Sequence, residues 1–348
     1  MEIGIAGAGL LGRLLAWRLA RDGHRVAVFD PAAGPAPRFD GHGAAAFSAA
    51  GMLSPTAELD HAGPEIAALG WHGIAAWQGI AAQLGAPVFV QRGSLLVAHR
   101  SDLGAAQRVL ARLSRVPGSQ PEPIAASQLA ALEPALHGIA HAWLLPGEAL
   151  IDPPATLNAL HAGAADVDWQ WNSGVERVDA GVLRFADGRT RRFDLVFDVR
   201  GLGGRPQLAV RGVRGETVWL HLRDHGLTRP VRLLHPRQRV YLVPRDRDTV
   251  FVGASEIESE DRSEVSLRSA VELMAAAHSV MPALAEARIV RLDRNLRPAL
   301  PDNAPHIEVA PGLVRINGLF RHGWLIAPAL IDDALHAAGI VAAQEVQA

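Results

Sequence analysis

Glu2-Ile3-Gly4-Ile5-Ala6-Gly7-Ala8-Gly9-Leu10-Leu11-Gly12, with a helical repeat running on to Arg21 and then Val26-Ala27-Val28-Phe29-Asp30, decides the fold. Residues 2–6 read as an apolar strand, residues 10–21 carry apolar positions at helical spacing, and residues 26–29 are a second strand ending on an acid. Each glycine has a physical reason. Gly7 permits the tight turn, Gly9 lets backbone N–H groups approach a pyrophosphate, and Gly12 lets the helix pack closely on the strand. Leu10 and Leu11 open the helix in the same turn, and Asp30 is placed to hold a ribose 2′-OH. A strand, glycine turn, helix, strand and acid in this order predict a dinucleotide site, although the motif alone does not separate NAD from FAD.

The rest of the chain bounds the chemistry. Its 348 residues are 49% apolar with a formal charge of −2, which suits one large or two medium domains. Arginines are scattered rather than massed, so neither nucleic acid nor an anionic membrane is an expected partner. There is no cysteine, which removes disulfides, thiolate nucleophiles and thioether flavin attachment. There is also no lysine: all 34 basic side chains are arginine, so lysine Schiff-base chemistry is excluded. Residues 3–20 are apolar, but Arg13 and Arg18 interrupt them and no membrane span is expected. With the first strand at the N-terminus, a cytoplasmic location is the expectation.

Past Asp30, residues 31–43 are a Pro/Gly/Ala-rich loop. A run of small residues follows and includes Phe47, Ser48, Ala49, Ala50, Gly51 and Met52; it suits either a backbone pressed against something flat or a tight alanine-rich helix. Residues 66–84 read as a helix. Residues 87–90 and 94–98, split by Gln91-Arg92-Gly93, read as a hairpin. A helix over 102–115, a linker over 116–123 and an extended stretch over 143–151 come next, then a helix from Pro153 to Ala164. Short strands with an Asp187-Gly188 turn lead to a buried strand over 193–199 that runs into Gly201-Leu202-Gly203-Gly204. Strands over 213–222, 239–243 and 249–254, a helix over 265–278, extended residues 289–292, a strand over 312–316 and a final helix over 328–346 complete the chain. This order predicts an α/β (α+β) fold, a parallel-sheet nucleotide domain interleaved with an antiparallel-sheet domain. His137 and His141 have helical i, i+4 spacing, but Gly138 lies between them and no third ligand is evident; no metal is expected.

Four separated segments then carry a family resemblance. Ala49-Ala50-Gly51-Met52-Leu53, Val240-Tyr241-Leu242-Val243-Pro244-Arg245, Arg297-Pro298-Ala299-Leu300-Pro301-Asp302-Asn303 and the stretch Asn317-Gly318-Leu319-Phe320-Arg321-His322-Gly323-Trp324-Leu325 resemble, in order, the glycine oxidase branch of the D-amino-acid oxidase family. The resemblance implies noncovalent FAD and a domain division of 1–85, 141–210 and 288–348 for the cofactor against 86–140 and 211–287 for the substrate. It implies oxidation of a small amino acid or secondary amine by hydride transfer from Cα to flavin N5. Dioxygen would be the acceptor, giving hydrogen peroxide, and glycine imine would be available for thiamine thiazole synthesis. Arg297 would pair with the substrate carboxylate, as a bidentate guanidinium suits a planar carboxylate. Tyr241 would sit on the substrate side and Arg321 beside the flavin. The cofactor wall would take Gly7, Gly9, Leu10, Leu11, Gly12 and Asp30 at one end. Ser48, Ala49, Ala50, Gly51, Met52, Val175 and Gly201 follow, with Gly318, His322, Gly323, Trp324 and Leu325 beside Arg297 and Arg321.

Departures from the family pattern concern the substrate end. Glu256 stands where an apolar residue is common, so either the substrate differs or the carboxylate points elsewhere. Phe47 replaces a small residue, Asp198-Val199-Arg200-Gly201 replaces an apolar-alanine-glycine run, and His322 stands where asparagine is frequent. A dehydrogenase for D-amino acids or N-methyl amines with another acceptor, and a flavoprotein that modifies or binds another protein, are the competing readings. Self-association is left open.

Overall fold

The structure is a computed structural model that describes residues 1–116, 120–237 and 239–340. The end of the expected final helix, 341–346, and Pro117, Gly118 and Ser119 of the expected linker lie outside the described residues.

Glu2–Ala6 (β1) pairs in parallel with Arg25–Phe29 (β2) on one side and Leu195–Asp198 on the other. All but the first residue of β1 and of β2 are buried, as parallel strands covered on both faces require. Leu10–Arg21 (α1) crosses between β1 and β2, and Gly7 makes the turn with φ +104°. A Cβ on Gly12 would lie 1.8 Å from the Gly7 carbonyl oxygen, so only glycine lets α1 start this close to the strand. The completed sheet has the order His306–Ala310, Leu313–Asn317, Leu195–Asp198, β1, β2, Asp168–Gln170. On one face Pro64–Leu84 packs along Gly323–Ala337, whose buried side includes Trp324, Leu325 and Ile326.

The second large sheet has eight strands: Arg288–Ala299, Arg211–His221, Thr249–Gly253, Arg239–Pro244, Val231–Leu234, Ser94–Ala98, His141–Leu145 and Glu122–Ile124. Its alternating apolar face is covered by the helix Leu267–Val280. His141–Leu145 and Arg288–Ala299, grouped by the sequence with the cofactor segments, hydrogen-bond into this sheet.

The expected hairpin at 87–98 does not form. Phe89–Val90 pairs with Ala149–Ile151 in a small three-stranded sheet, while Ser94–Ala98 enters the eight-stranded sheet between Val231–Leu234 and His141–Leu145. Gly93, at φ +73°, turns the chain from one sheet to the other. The Asp187-Gly188 turn does join antiparallel strands, Val182–Phe185 and Thr190–Arg192.

Candidate active site

One cavity of about 770 Å³ runs from the glycine turn to the eight-stranded sheet. Gly7, Gly9, Leu10, Leu11 and Asp30 line its first end. Here the free N–H groups at the start of α1 give the backbone its capacity for phosphate. A Cβ on Gly9 would meet only the Ala44 Cβ, at 3.8 Å, so the side of Gly9 facing the cavity is open for a ligand. The Asp30 carboxylate accepts from the N–H of Ala8 at 2.7 Å and of Ala32 at 2.8 Å, which fixes it between the turn and the following loop. Gly12 does not line the cavity; its role is the packing of α1.

Arg13 is a residue the motif reading missed. It is buried, and its guanidinium donates to the carbonyl oxygens of Ala8 (2.9 Å), Leu157 (3.0 Å) and Pro35 (2.9 Å), tying three segments to the glycine turn. Burial lowers it to about 10, against the opposing pull of Asp30. Phe47 packs beneath it, 5.3 Å from ring centre to guanidinium carbon, which explains a large residue in the small-residue block.

The middle of the cavity is lined by Ser48, Ala49, Ala50, Gly51 and Met52 on one side and by Val175 and Gly201 on the other. Residues 45–48 form a short 3-10 turn rather than an alanine-rich helix, and Trp324 holds it by donating to the Ala46 carbonyl at 3.0 Å. Asp198 and Arg200 form a buried ion pair at 2.8 Å. Arg200 also donates to the carbonyls of Val175 and Glu176, so this pair bolts the second glycine loop to its neighbouring sheet and accounts for its unusual sequence.

At the far end Tyr241, Glu256, Arg297 and Arg321 meet on one cavity, together with Gly323, Trp324 and Leu325. Gly318 and His322 lie behind the lining: Gly318 turns the chain against Leu300 at φ +76°, and the buried His322 faces Glu58. Arg297 donates to the carbonyls of Arg214 (3.4 Å) and Ser255 (3.1 Å). Among the described residues it has no carboxylate at ion-pair distance. Burial lowers its pKa, with Tyr241 opposing and Arg321 adding to the effect. Tyr241 is itself raised by burial, partly offset by Arg297, Arg232 and Arg321.

Glu58, which no motif announced, organises this end. It is buried at the end of Pro55–Glu58, with Oε2 3.3 Å from Arg321 Nε and 3.3 Å from His322 Nδ1, and Oε1 3.3 Å from the Arg232 guanidinium. Burial alone would raise its pKa; Arg321, His322 and Arg232 override that and hold it well below the usual carboxylate range. Arg321 is raised in return, chiefly by Glu58. Its second contact is Glu256, at 3.2 Å. The only sequence signal for Glu58 is an acid five residues beyond the small-residue block.

The cavity fits an extended dinucleotide: backbone N–H groups suited to phosphate at one end, an uncharged small-residue wall in the middle, and the guanidinium groups of Arg297 and Arg321 at the other. Among the described residues no group of three or more His, Cys, Asp or Glu is placed to hold a metal, and no helix is long and apolar enough to cross a membrane.

Comparison with known proteins agrees with this geometry. The family model described as FAD dependent oxidoreductase (DAO) matches residues 2–332. A candidate thiamine biosynthesis oxidoreductase, ThiO, of Rhizobium etli is 38% identical over 337 residues, covering 96% of this chain and 95% of that protein. A glycine oxidase of Geobacillus kaustophilus is 24% identical over 353 residues, covering 94% of this chain and 90% of its own length. The crystal structure of the Geobacillus kaustophilus glycine oxidase superposes with a TM-score of 0.80 at 22% identity, covering 99% of each chain. That of iminodiacetate oxidase from Chelativorans sp. BNC1 gives 0.80 at 24%, covering 99% of this chain and 97% of the other. With a match to the family over residues 2–332 and a cavity that fits its cofactor, the chain belongs to the D-amino-acid oxidase (DAO) family of FAD-dependent oxidoreductases and is of the glycine oxidase type.

Proposed function

We propose that this protein oxidises glycine or a similarly small amino acid or secondary amine, with dioxygen as the final acceptor. The observation that carries the reading is Arg297: a guanidinium at the cavity wall whose hydrogen-bond partners, among the described residues, are two carbonyl oxygens. Such a cation is held in place but not neutralised, and a substrate carboxylate completes it. Tyr241, on Arg239–Pro244 of the same sheet, lines the same space and limits the room beside the carboxylate.

The residues of the glycine turn, Asp30 and the small-residue block would hold FAD. Bound FAD supplies the acceptor for the Cα hydride, and dioxygen carries the electrons away as hydrogen peroxide. The chain itself supplies position. Arg297 orients the carboxylate, the wall around Gly51 and Trp324 excludes water, and holding the reacting carbon in one pose removes much of the barrier. The resulting imine hydrolyses or, in the role suggested by the Rhizobium etli relative, feeds thiamine thiazole synthesis.

An anaerobic screen of the purified yellow protein against glycine, sarcosine and small D-amino acids tests the proposal. Bleaching of the flavin by one of them is expected, and oxygen uptake must then match substrate loss. Reduction of an artificial dye without oxygen uptake would indicate a dehydrogenase instead. Arg297→Ala is expected to retain FAD and weaken carboxylate substrates by about 2–5 kcal/mol. Unchanged KM for that variant would refute the role of Arg297.

A further inference from the structure

Glu256 follows the strand Thr249–Gly253, and its backbone is pinned on both sides. Ser255 donates to the Glu216 carbonyl at 3.1 Å, and Ile257 exchanges two hydrogen bonds of 2.9 Å with Arg214. These bonds hold the backbone of residues 255 and 257 against the neighbouring strand, and Ser255 and Glu256 both line the cavity. The same segment places Glu256 beside Arg297, because the Arg297 guanidinium donates to the Ser255 carbonyl, one peptide bond from Glu256. A guanidinium with no carboxylate at ion-pair distance among the described residues and the Glu256 carboxylate thus line one end of the cavity.

The charge balance around Glu256 is incomplete. Among the described residues its ion-pair partner is Arg321, and that guanidinium is shared: its Nε faces Glu58 while Nη1 faces Glu256. Glu58 has three basic neighbours, Arg232, Arg321 and His322. The other groups around Glu256 are Arg297 on Arg288–Ala299 and the Tyr241 phenol on Arg239–Pro244. The Glu256 side chain is 48% exposed, so a proton on it can pass to solvent.

A ligand complementary to this pair carries an anion and a cation close together, which describes the zwitterion of an amino acid. We propose that Glu256 receives the substrate ammonium group and takes one proton from it before the Cα–H bond breaks. This inference rests on the reading of the cavity as an amine-oxidising site. In the step, an N–H bond of the ammonium breaks and an O–H bond forms on the Glu256 carboxylate, which frees the nitrogen lone pair. The Cα–H bond then gives up a hydride to the oxidised FAD as the lone pair forms the C=N bond of the iminium. The substrate loses two electrons, FAD gains them, and the Glu256 proton leaves to water. Glu256 is thereby a catalytic residue.

The experiment uses the FAD-loaded enzyme, its Glu256→Gln and Glu256→Met variants, and two ligands of one shape. 2-Aminoisobutyrate has no Cα–H and cannot be oxidised; isobutyrate lacks only the ammonium. Followed by flavin absorbance at pH 7, wild type is expected to prefer the aminated ligand. Both variants should lose that preference by roughly 10- to 100-fold, the scale of a lost hydrogen bond to a charged group, while retaining isobutyrate. A second readout is the pH dependence of kcat/KM for the oxidised substrate. In the variants it should rise tenfold per pH unit toward the amine pKa, and Glu256→Asp should restore part of the neutral-pH activity. An unchanged ligand preference and an unchanged pH profile would overturn the assignment of Glu256 alone. Failure of every small amine to reduce the wild-type flavin would instead overturn the functional reading beneath it.

Discussion

At the glycine-turn end of the cavity, the groups offered to a ligand come mostly from the main chain within residues 2–30. At the Arg297 end they come from side chains at 58, 232, 241, 256, 297 and 321, drawn from different strands and turns. The first end binds with oriented peptide dipoles, which carry no net charge and need no counter-ion. The second presents charged side chains, several of them buried, whose desolvation is tolerable because they face one another. One end is thus insensitive to side-chain identity except where a side chain would occupy ligand space. The other is a coupled unit in which one deletion exposes several neighbours.

The largest expected effect tests that coupling. Glu58→Gln leaves Arg321 and Arg232 without their shared carboxylate and is expected to cost about 3–5 kcal/mol of stability at neutral pH, read as a shift in urea midpoint. The pH dependence has a definite sign. Glu58 is depressed in the folded protein, so its contribution is complete above the unfolded carboxyl pKa of about 4.3 and is lost as pH falls through the folded value. The gap between wild type and variant should therefore be full from about pH 5 to pH 7 and narrow progressively as pH falls below about 4. A gap independent of pH would mean that Glu58 acts through packing alone.

A smaller effect is expected from Gly9→Val. The apo protein has room for the added atoms, so folding should be little changed, while FAD retention should fall sharply because the side chain enters the phosphate space. The strain on binding is about 1–3 kcal/mol if the turn relaxes. A fully yellow Gly9→Val preparation would contradict the role of the turn. Least of all is expected from Asp152→Ala, which removes the hydrogen bond from Ala155 N–H to the cap of Pro153–Ala162. About 1 kcal/mol of stability should be lost, with substrate and FAD affinity unchanged. An effect on substrate affinity there would show that the two ends are not separable.

The same contrast explains what the sequence made legible. The glycine turn is local, so spacing alone locates it, and its strands and helix follow from periodicity within thirty or so residues. Arg297 and Arg321 became visible only through the family pattern, since neither has a local signature that distinguishes it from a surface arginine. Glu58 escaped because its importance lies in partners far away along the chain. The failed hairpin at 87–98 has a related cause. Two β-prone runs around Gly93 satisfy the local rule, but Ser94–Ala98 is buried throughout and gains more by entering a central position in the larger sheet. Glu256, noticed as a departure, needed the folded cavity and its contact with Arg321 to show where it points.

The turn after Arg297 has one more consequence. Phe320 N–H donates to the Pro298 carbonyl at 2.9 Å, so the segments bearing Arg297 and Arg321 are fastened to each other one residue away from each guanidinium. This main-chain clasp acts as a fixed gauge. Substitutions among the surrounding side chains alter the charge offered to a substrate without altering the span between the two arginines, so the pocket can change its preference among amines while keeping the size of molecule it accepts.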